Sequence, residues 1–213
     1  MYYGNWLNVS QVPSRYIKLA NHLEAREWKE ADEETTEILM WQEQSNLFSA
    51  VWTNLPSSFS INEIFSIPAQ RIFQYCQSIP CEDILAVDYL WVHFSDGRFG
   101  LSVQKKIAQE SGLKIIDNIM TMRSWNEGQH NIEILADRCG WREDNYWIYY
   151  EDLTFDIEAP IGHLPANYLY LVDEASGFLP INHVFGKRET HIISAPQVWY
   201  SLVSRLNLCS HHN

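Results

Sequence analysis

Apolar residues recur at helical spacing through most of the chain. Tyr16, Leu19, Ala20 and Leu23 form one stripe, and Trp28, Ala31, Thr35, Ile38 and Leu39 form a second. These stripes predict helices over Ser14–Ala25 and Glu27–Gln42, and the short break between them predicts an antiparallel pair. Glu30, Asp32, Glu33 and Glu34 stand toward the start of the second helix, where the helix dipole favours negative charge. Ser45–Ser78 is apolar and aromatic, with Pro-Ser-Ser punctuation. It reads as a loop followed by short helices at Ser60–Phe65 and Ala69–Gln77, the first with a Ser60–Glu63 capping box.

Pro80 suits the first position of the next helix, because its missing N–H would have no partner there. Ile84, Leu85, Val87, Leu90, Trp91 and Phe94 give that helix a wide apolar face, and Ser95-Asp96-Gly97 turns the chain. A helix resumes at Phe99, with Val103 and Ile107 on one face and Lys105 and Lys106 on another, and stops at Gly112. Short helices are expected at Ile115–Met122 and Gln129–Arg138, the latter stopped by Gly140. Trp147–Ile157 alternates and is expected to be extended. Tyr168–Val172 and Phe178–Val184 flank DEASG and predict a small β-hairpin. Ala195–Leu208 closes the chain as a helix carrying Val198, Trp199, Leu202, Val203 and Leu206. The expected fold class is therefore mostly all-α, with a small hairpin near the C-terminus. The first helix pair resembles a tetratricopeptide unit, but no second copy follows at the period of about 34 residues that such arrays need.

The 213 residues fit a single domain over 1–213, and 46% hydrophobic content is in the ordinary globular range. A net charge of -12 disfavours nucleic acid and anionic membrane surfaces as partners, since both need a Lys/Arg face. No apolar run reaches about 18 residues, and the N-terminus lacks a basic stretch followed by an apolar one. No integral membrane segment and a cytoplasmic location are expected. Cys76, Cys81, Cys139 and Cys209 form no CxxC pair and no zinc spacing, so they are expected to be reduced thiols.

Phosphate-binding glycine loops, a GxSxG elbow and an HExxH helix are all missing from the sequence. His163, in Gly-His-Leu-Pro, could serve as a base, as a metal ligand or as a structural hydrogen-bonding residue. Asp88 and Asp156 could pair for catalysis, or act as surface and capping carboxylates. What remains is an apolar group, Phe99, Val103, Trp147, Tyr149 and Phe155, near the cations Arg98, Lys105, Arg138 and Arg142. A large flat ligand with carboxylates needs such a floor and rim. A core edge with a solvated rim has the same composition.

PCEDILAVDYLWVHFSDGRFGLSVQKK resembles the central motif of the genomes-uncoupled-four (GUN-four) family, tetrapyrrole-binding regulators of oxygenic phototrophs such as cyanobacteria. GWREDNYWIYYEDLTFDIEAPIGHLP resembles its second block, EWKEADEETTEILM its entry helices, and WYSLVSRLNLC its closing helix. The resemblance implies a cupped helical domain with inserts at about 44–77 and 166–194. Its concave face would hold protoporphyrin, magnesium protoporphyrin or a bilin. It implies a non-enzymatic protein with no required cofactor, a magnesium chelatase subunit as partner, and a place in chlorophyll biosynthesis, peripheral to photosynthetic membranes. The ligand-binding residues expected on this basis are Arg98, Phe99, Val103, Trp147, Tyr149, Phe155, His163 and Asn167. The chain departs from the family pattern after GHLP: ANYLYLVDEASG supplies Asn167 but no arginine, and Lys187 and Arg188 come only later. A rival expectation is an interaction module of the same fold, its cup filled by the chain's own 44–77 or 168–184 segment.

Overall fold

Pro13 introduces a 3-10 turn, Ser14–Tyr16, that runs directly into helix α1, Ile17–Glu24. The computed structural model describes residues 11–40, 72–113, 132–170 and 195–211. A break of three residues, with Arg26 in the left-handed region, leads to α2, Trp28–Met40. Lys18, near the start of α1, pairs with Glu34 in the middle of α2, so the two helices fold back on each other as the stripes predict.

Helical residues 72–78 lead through Pro80 into α3, Cys81–Phe94. Asp83, in its first turn, is buried and accepts hydrogen bonds from Arg15 Nη2 (2.7 Å) and the Tyr16 hydroxyl (2.6 Å). This pins the N-terminal turn to α3. About two helical turns further along, Trp91 is fully buried. Its indole N–H donates to Thr35 Oγ1 (2.7 Å), and its ring stacks on Trp28 at 6.1 Å. Phe99 meets Trp28 edge-on at 5.4 Å. The centre of the core is thus an aromatic contact between α2, α3 and the turn that follows α3.

That turn uses Ser95, whose hydroxyl donates to Trp91 O and accepts from Phe99 N. Helix α4, Leu101–Glu110, begins where Asp88 of α3 accepts the Ser102 N–H at 2.7 Å. A carboxylate at a helix N-terminus satisfies an orphan donor and complements the dipole. Asp88 is therefore a cap from a neighbouring helix. Asp156 is exposed and accepts the Glu158 N–H two residues on. The two carboxylates serve separate turns and do not make a catalytic pair.

After helical residues 132–139, Gly140 reverses the chain with φ +72°. Strands β1 (Arg142–Glu143) and β2 (Tyr146–Trp147) then pair antiparallel, Arg142 opposite Trp147 and Glu143 opposite Tyr146. Asp144 and Asn145 both adopt positive φ, as a two-residue hairpin turn requires. Of the stretch expected to be extended over Trp147–Ile157, only Trp147 is in a paired strand, Tyr149 and Leu153 have extended backbone, and a 3-10 turn lies between them at Tyr150–Asp152. A second such turn, Asn167–Leu169, occupies the start of the segment expected to form a C-terminal hairpin. Residues 171–184, the helices expected at Ser60–Phe65 and Ile115–Met122, and the cations Lys187 and Arg188 lie outside the described residues.

Helix α5, Ala195–Ser210, closes the fold against α3, α4 and the Asn167–Leu169 turn. The fold is mostly helical, as expected, and carries a small hairpin at 142–147. The cysteine expectation is corrected: Cys81 and Cys209 form a disulfide. They are 128 residues apart in sequence, but packing α5 on α3 brings their Cα atoms to 5.3 Å. Cys76 and Cys139 are buried free thiols. Among the described residues no helix is long and apolar enough to cross a membrane.

Candidate functional site

The loop that ends the second sequence block lies directly on α4. Gly162 has φ +80°, and a Cβ there would meet Ile107 Cδ1 at 2.6 Å and Cys139 Sγ at 3.1 Å, so only glycine fits. Its N–H donates to Arg98 O (2.8 Å), while Gly100 N donates to Leu164 O (2.9 Å). A cis Leu164–Pro165 bond follows. Gln104, fully buried on α4, donates from Nε2 to Pro165 O (2.8 Å). Its Oε1 accepts from the Tyr168 hydroxyl (2.7 Å) and from Trp199 Nε1 (3.1 Å). One amide therefore joins the loop, the turn after it and the closing helix.

His163 is buried within this framework, 1% exposed. Nδ1 lies 2.6 Å from Cys139 O, and Nε2 accepts the Thr154 N–H at 3.2 Å. Donation to the carbonyl fixes the proton on Nδ1. Burial pushes its pKa down, with the Cys139 carbonyl opposing, so the ring is held neutral. Both nitrogens are used in bracing the loop, which makes His163 a structural residue in this geometry. It shares no contact with Asp156.

Asn167 is also engaged. Its backbone N–H donates to both carboxylate oxygens of Asp32, and Ala166 N donates to Asp32 Oδ1 at 2.9 Å. Its side-chain oxygen accepts from Thr36. Asp32 itself has no exposed surface, and burial raises its pKa to about 7 against the lowering effect of those N–H donors. The sequence reading placed Asp32 only as a dipole-favoured acid. The available signal was its spacing: it lies four residues after Trp28 and three before Thr35, on the face of α2 that turns inward.

The five apolar candidates divide by depth. Phe99 is fully buried and Trp147 is 3% exposed, so both belong to the core. Val103, Tyr149 and Phe155 are half-buried. Phe155 packs edge-on to Tyr150 (5.3 Å), and Tyr150 lies 5.6 Å from Tyr170. Lys29 Nζ stands 5.8 Å from the centroids of both Tyr150 and Phe155. This cation came from the entry helices and was absent from the sequence-based set.

The four cations expected at a rim make internal contacts. Arg98 donates to Ala159 O (2.8 Å), and Lys105 to Asn207 Oδ1 (2.6 Å). Arg138 donates to Ser111 Oγ (2.8 Å), and Arg142 to Asp137 and to Asn145 O. Among the described residues no group of three or more His, Cys, Asp or Glu side chains could hold a metal ion. Tyr150, Phe155 and Tyr170 form one aromatic cluster with Lys29 beside it.

The family description GUN4-like matches residues 9–180. A chloroplastic tetrapyrrole-binding protein from Arabidopsis thaliana is 26% identical over 159 residues, which cover 69% of this chain and 46% of the relative. A Ycf53-like protein from Synechocystis is 29% identical over 94 residues, covering 44% of this chain and 33% of the relative. The chain thus matches less than half the length of either curated relative. The ligand-free structure of Arabidopsis thaliana GUN4 aligns over 90% of this chain and 96% of its own, at 22% identity and a TM-score of 0.46. GUN4 from Chlamydomonas reinhardtii aligns over 92% and 96%, at 20% identity and a TM-score of 0.48. With the match running from residue 9 to residue 180 of 213, the chain belongs to the GUN4-like family.

Proposed function

We propose that this chain is a non-enzymatic tetrapyrrole-binding protein that holds a porphyrin or an open-chain bilin. The observation that carries this reading is the family match over residues 9–180, together with a relative named as a tetrapyrrole-binding protein. The half-buried Val103, Tyr149 and Phe155 support it, because a flat macrocycle needs apolar and aromatic contact that is not already consumed by the core. Arg98, Phe99, Trp147, His163 and Asn167 contribute by holding the surface in place. The finer role, a cytoplasmic regulator of magnesium chelatase in chlorophyll synthesis, rests on the motif resemblance.

Titration with protoporphyrin and with biliverdin is expected to quench tryptophan fluorescence with a micromolar or tighter Kd. Val103→Glu should weaken binding at least about tenfold, since a charge would be buried under the ligand, and leave the helical circular dichroism unchanged. No quenching by either tetrapyrrole would reject the proposal. That result would favour an interaction module of the same fold, a reading supported by the internal use of Arg98, Lys105, Arg138 and Arg142.

A further inference from the structure

We propose that the Cys81–Cys209 disulfide is a thiol–disulfide exchange site, at which a dithiol reductant releases the last turn of α5 from α3. The bond joins the first residue of α3 to a residue one before the end of α5. The ring it closes contains α4, the hairpin and the Gly162–Pro165 loop, hence every residue from Arg98 to Asn167 assigned to the site.

The two ends of α5 are held differently. Val198, Trp199, Leu202, Val203 and Leu206 are buried apolar residues, and Trp199 is bonded to Gln104. Beyond Leu206 the only fully buried residue of the helix is Cys209. Asn207 adds a contact to Lys105. Breaking the disulfide therefore loosens residues 207–211 and leaves the body of the helix in the core.

The two cysteines also differ in exposure. Cys209 is 1% exposed, while Cys81 is partly exposed. The incoming thiolate attacks Cys81 Sγ, forming a mixed disulfide as the bond to Cys209 breaks. Cys209 leaves as a thiolate and takes up a proton. The second thiol of the reductant then attacks its own sulfur in the mixed disulfide, freeing Cys81 as a thiol. The reductant leaves oxidised, having supplied two electrons and two protons. Cys76 and Cys139 do not compete, because both are fully buried. Burial pushes the Cys76 thiol up to about 12 and raises Cys139 as well, so neither supplies a thiolate near neutral pH.

The test uses the full chain. Air-equilibrated protein, denatured without reductant, should show two of its four cysteines as free thiols. A native pulse of dithiothreitol followed by iodoacetamide should alkylate Cys81 and Cys209 only. Reduction should lower hydrogen-exchange protection at residues 207–211 at least about tenfold while residues 198–203 stay protected. It should lower the Tm by about 5–15 °C, as expected for opening a loop of this length. Cys81→Ser/Cys209→Ser should reproduce the reduced protein, and reduced wild type gives the same readout if that variant does not fold. Four free thiols before reduction, unchanged protection at 207–211, or loss of the whole helical spectrum on reduction would each overturn the proposal. None of these measurements involves a tetrapyrrole, so their outcome is independent of the ligand titration.

Discussion

At the scale of the residue, Asp32 and His163 are buried groups whose ionisation opposes folding, and they pull stability in opposite directions with pH. Burial holds the folded pKa of Asp32 at about 7, above the ordinary carboxylate value of about 3.9. Between those values the native state binds the extra proton, so the Asp32 contribution is present in acid and is lost as pH rises toward 7. His163 is depressed by burial, so the unfolded state binds the proton and stability falls as pH drops through the ordinary imidazole range. Asp32→Asn keeps an oxygen for the Ala166 and Asn167 N–H groups and removes the charge. Its stability relative to wild type should grow from about pH 4 to pH 8, by as much as about 4 kcal/mol. Urea unfolding at several pH values measures this, and a constant difference across the range would contradict it. Little of this was legible in the sequence. Asp32 stands in a run of acids that reads as a solvated helix start, and the loop that supplies its two donors lies over 130 residues away.

At the scale of the element, α3 and α4 are joined by more than a turn. Asp88 caps α4 from within α3, and Gly100, at φ +129°, keeps the backbone clear of Val92 and the Asp88 carboxylate. Asp88→Ala should cost about 1–2 kcal/mol by leaving the Ser102 N–H without its acceptor, and Asp88→Asn should restore most of that loss. Chemical denaturation distinguishes the two, and equal costs would argue against the capping role. Helices α1 to α5 were legible because each carries a 3.6-residue apolar stripe that the core uses directly. The hairpin at 142–147 was not legible for a physical reason: its turn, Asp144-Asn145, reaches positive φ without glycine. The Cys81–Cys209 pairing was illegible because no local pattern reports which distant helices will pack together.

At the scale of the whole molecule, the net charge of -12 sets how a ligand arrives. A tetrapyrrole with ionised propionates approaches against that field, and the four cations first expected at the rim are turned to internal acceptors. Its association rate should therefore rise with ionic strength between about 0.01 and 0.15 M, where the Debye length shortens from about 30 to 8 Å. Stopped-flow quenching reads the rate, and a fall with salt would point to a local cationic funnel instead. The family was legible at this scale, because the two long motif blocks survive in order and the match spans residues 9–180. The depth of each aromatic was not. Phe99 and Trp147 have the composition of a floor, and only packing shows that they belong to the buried core.

Gln104 also has a consequence for how the chain is made. Its three partners, Pro165, Tyr168 and Trp199, follow it by 61, 64 and 95 residues. A ribosome adding about 5–20 residues per second takes several seconds to deliver the last of them. Until Pro165 and Tyr168 have been made, α4 carries a side-chain amide that belongs in the interior but has neither donor nor acceptor there, and its set stays incomplete until Trp199 follows. The nascent domain must stay open around Gln104 and complete its core only when Trp199 has been synthesised.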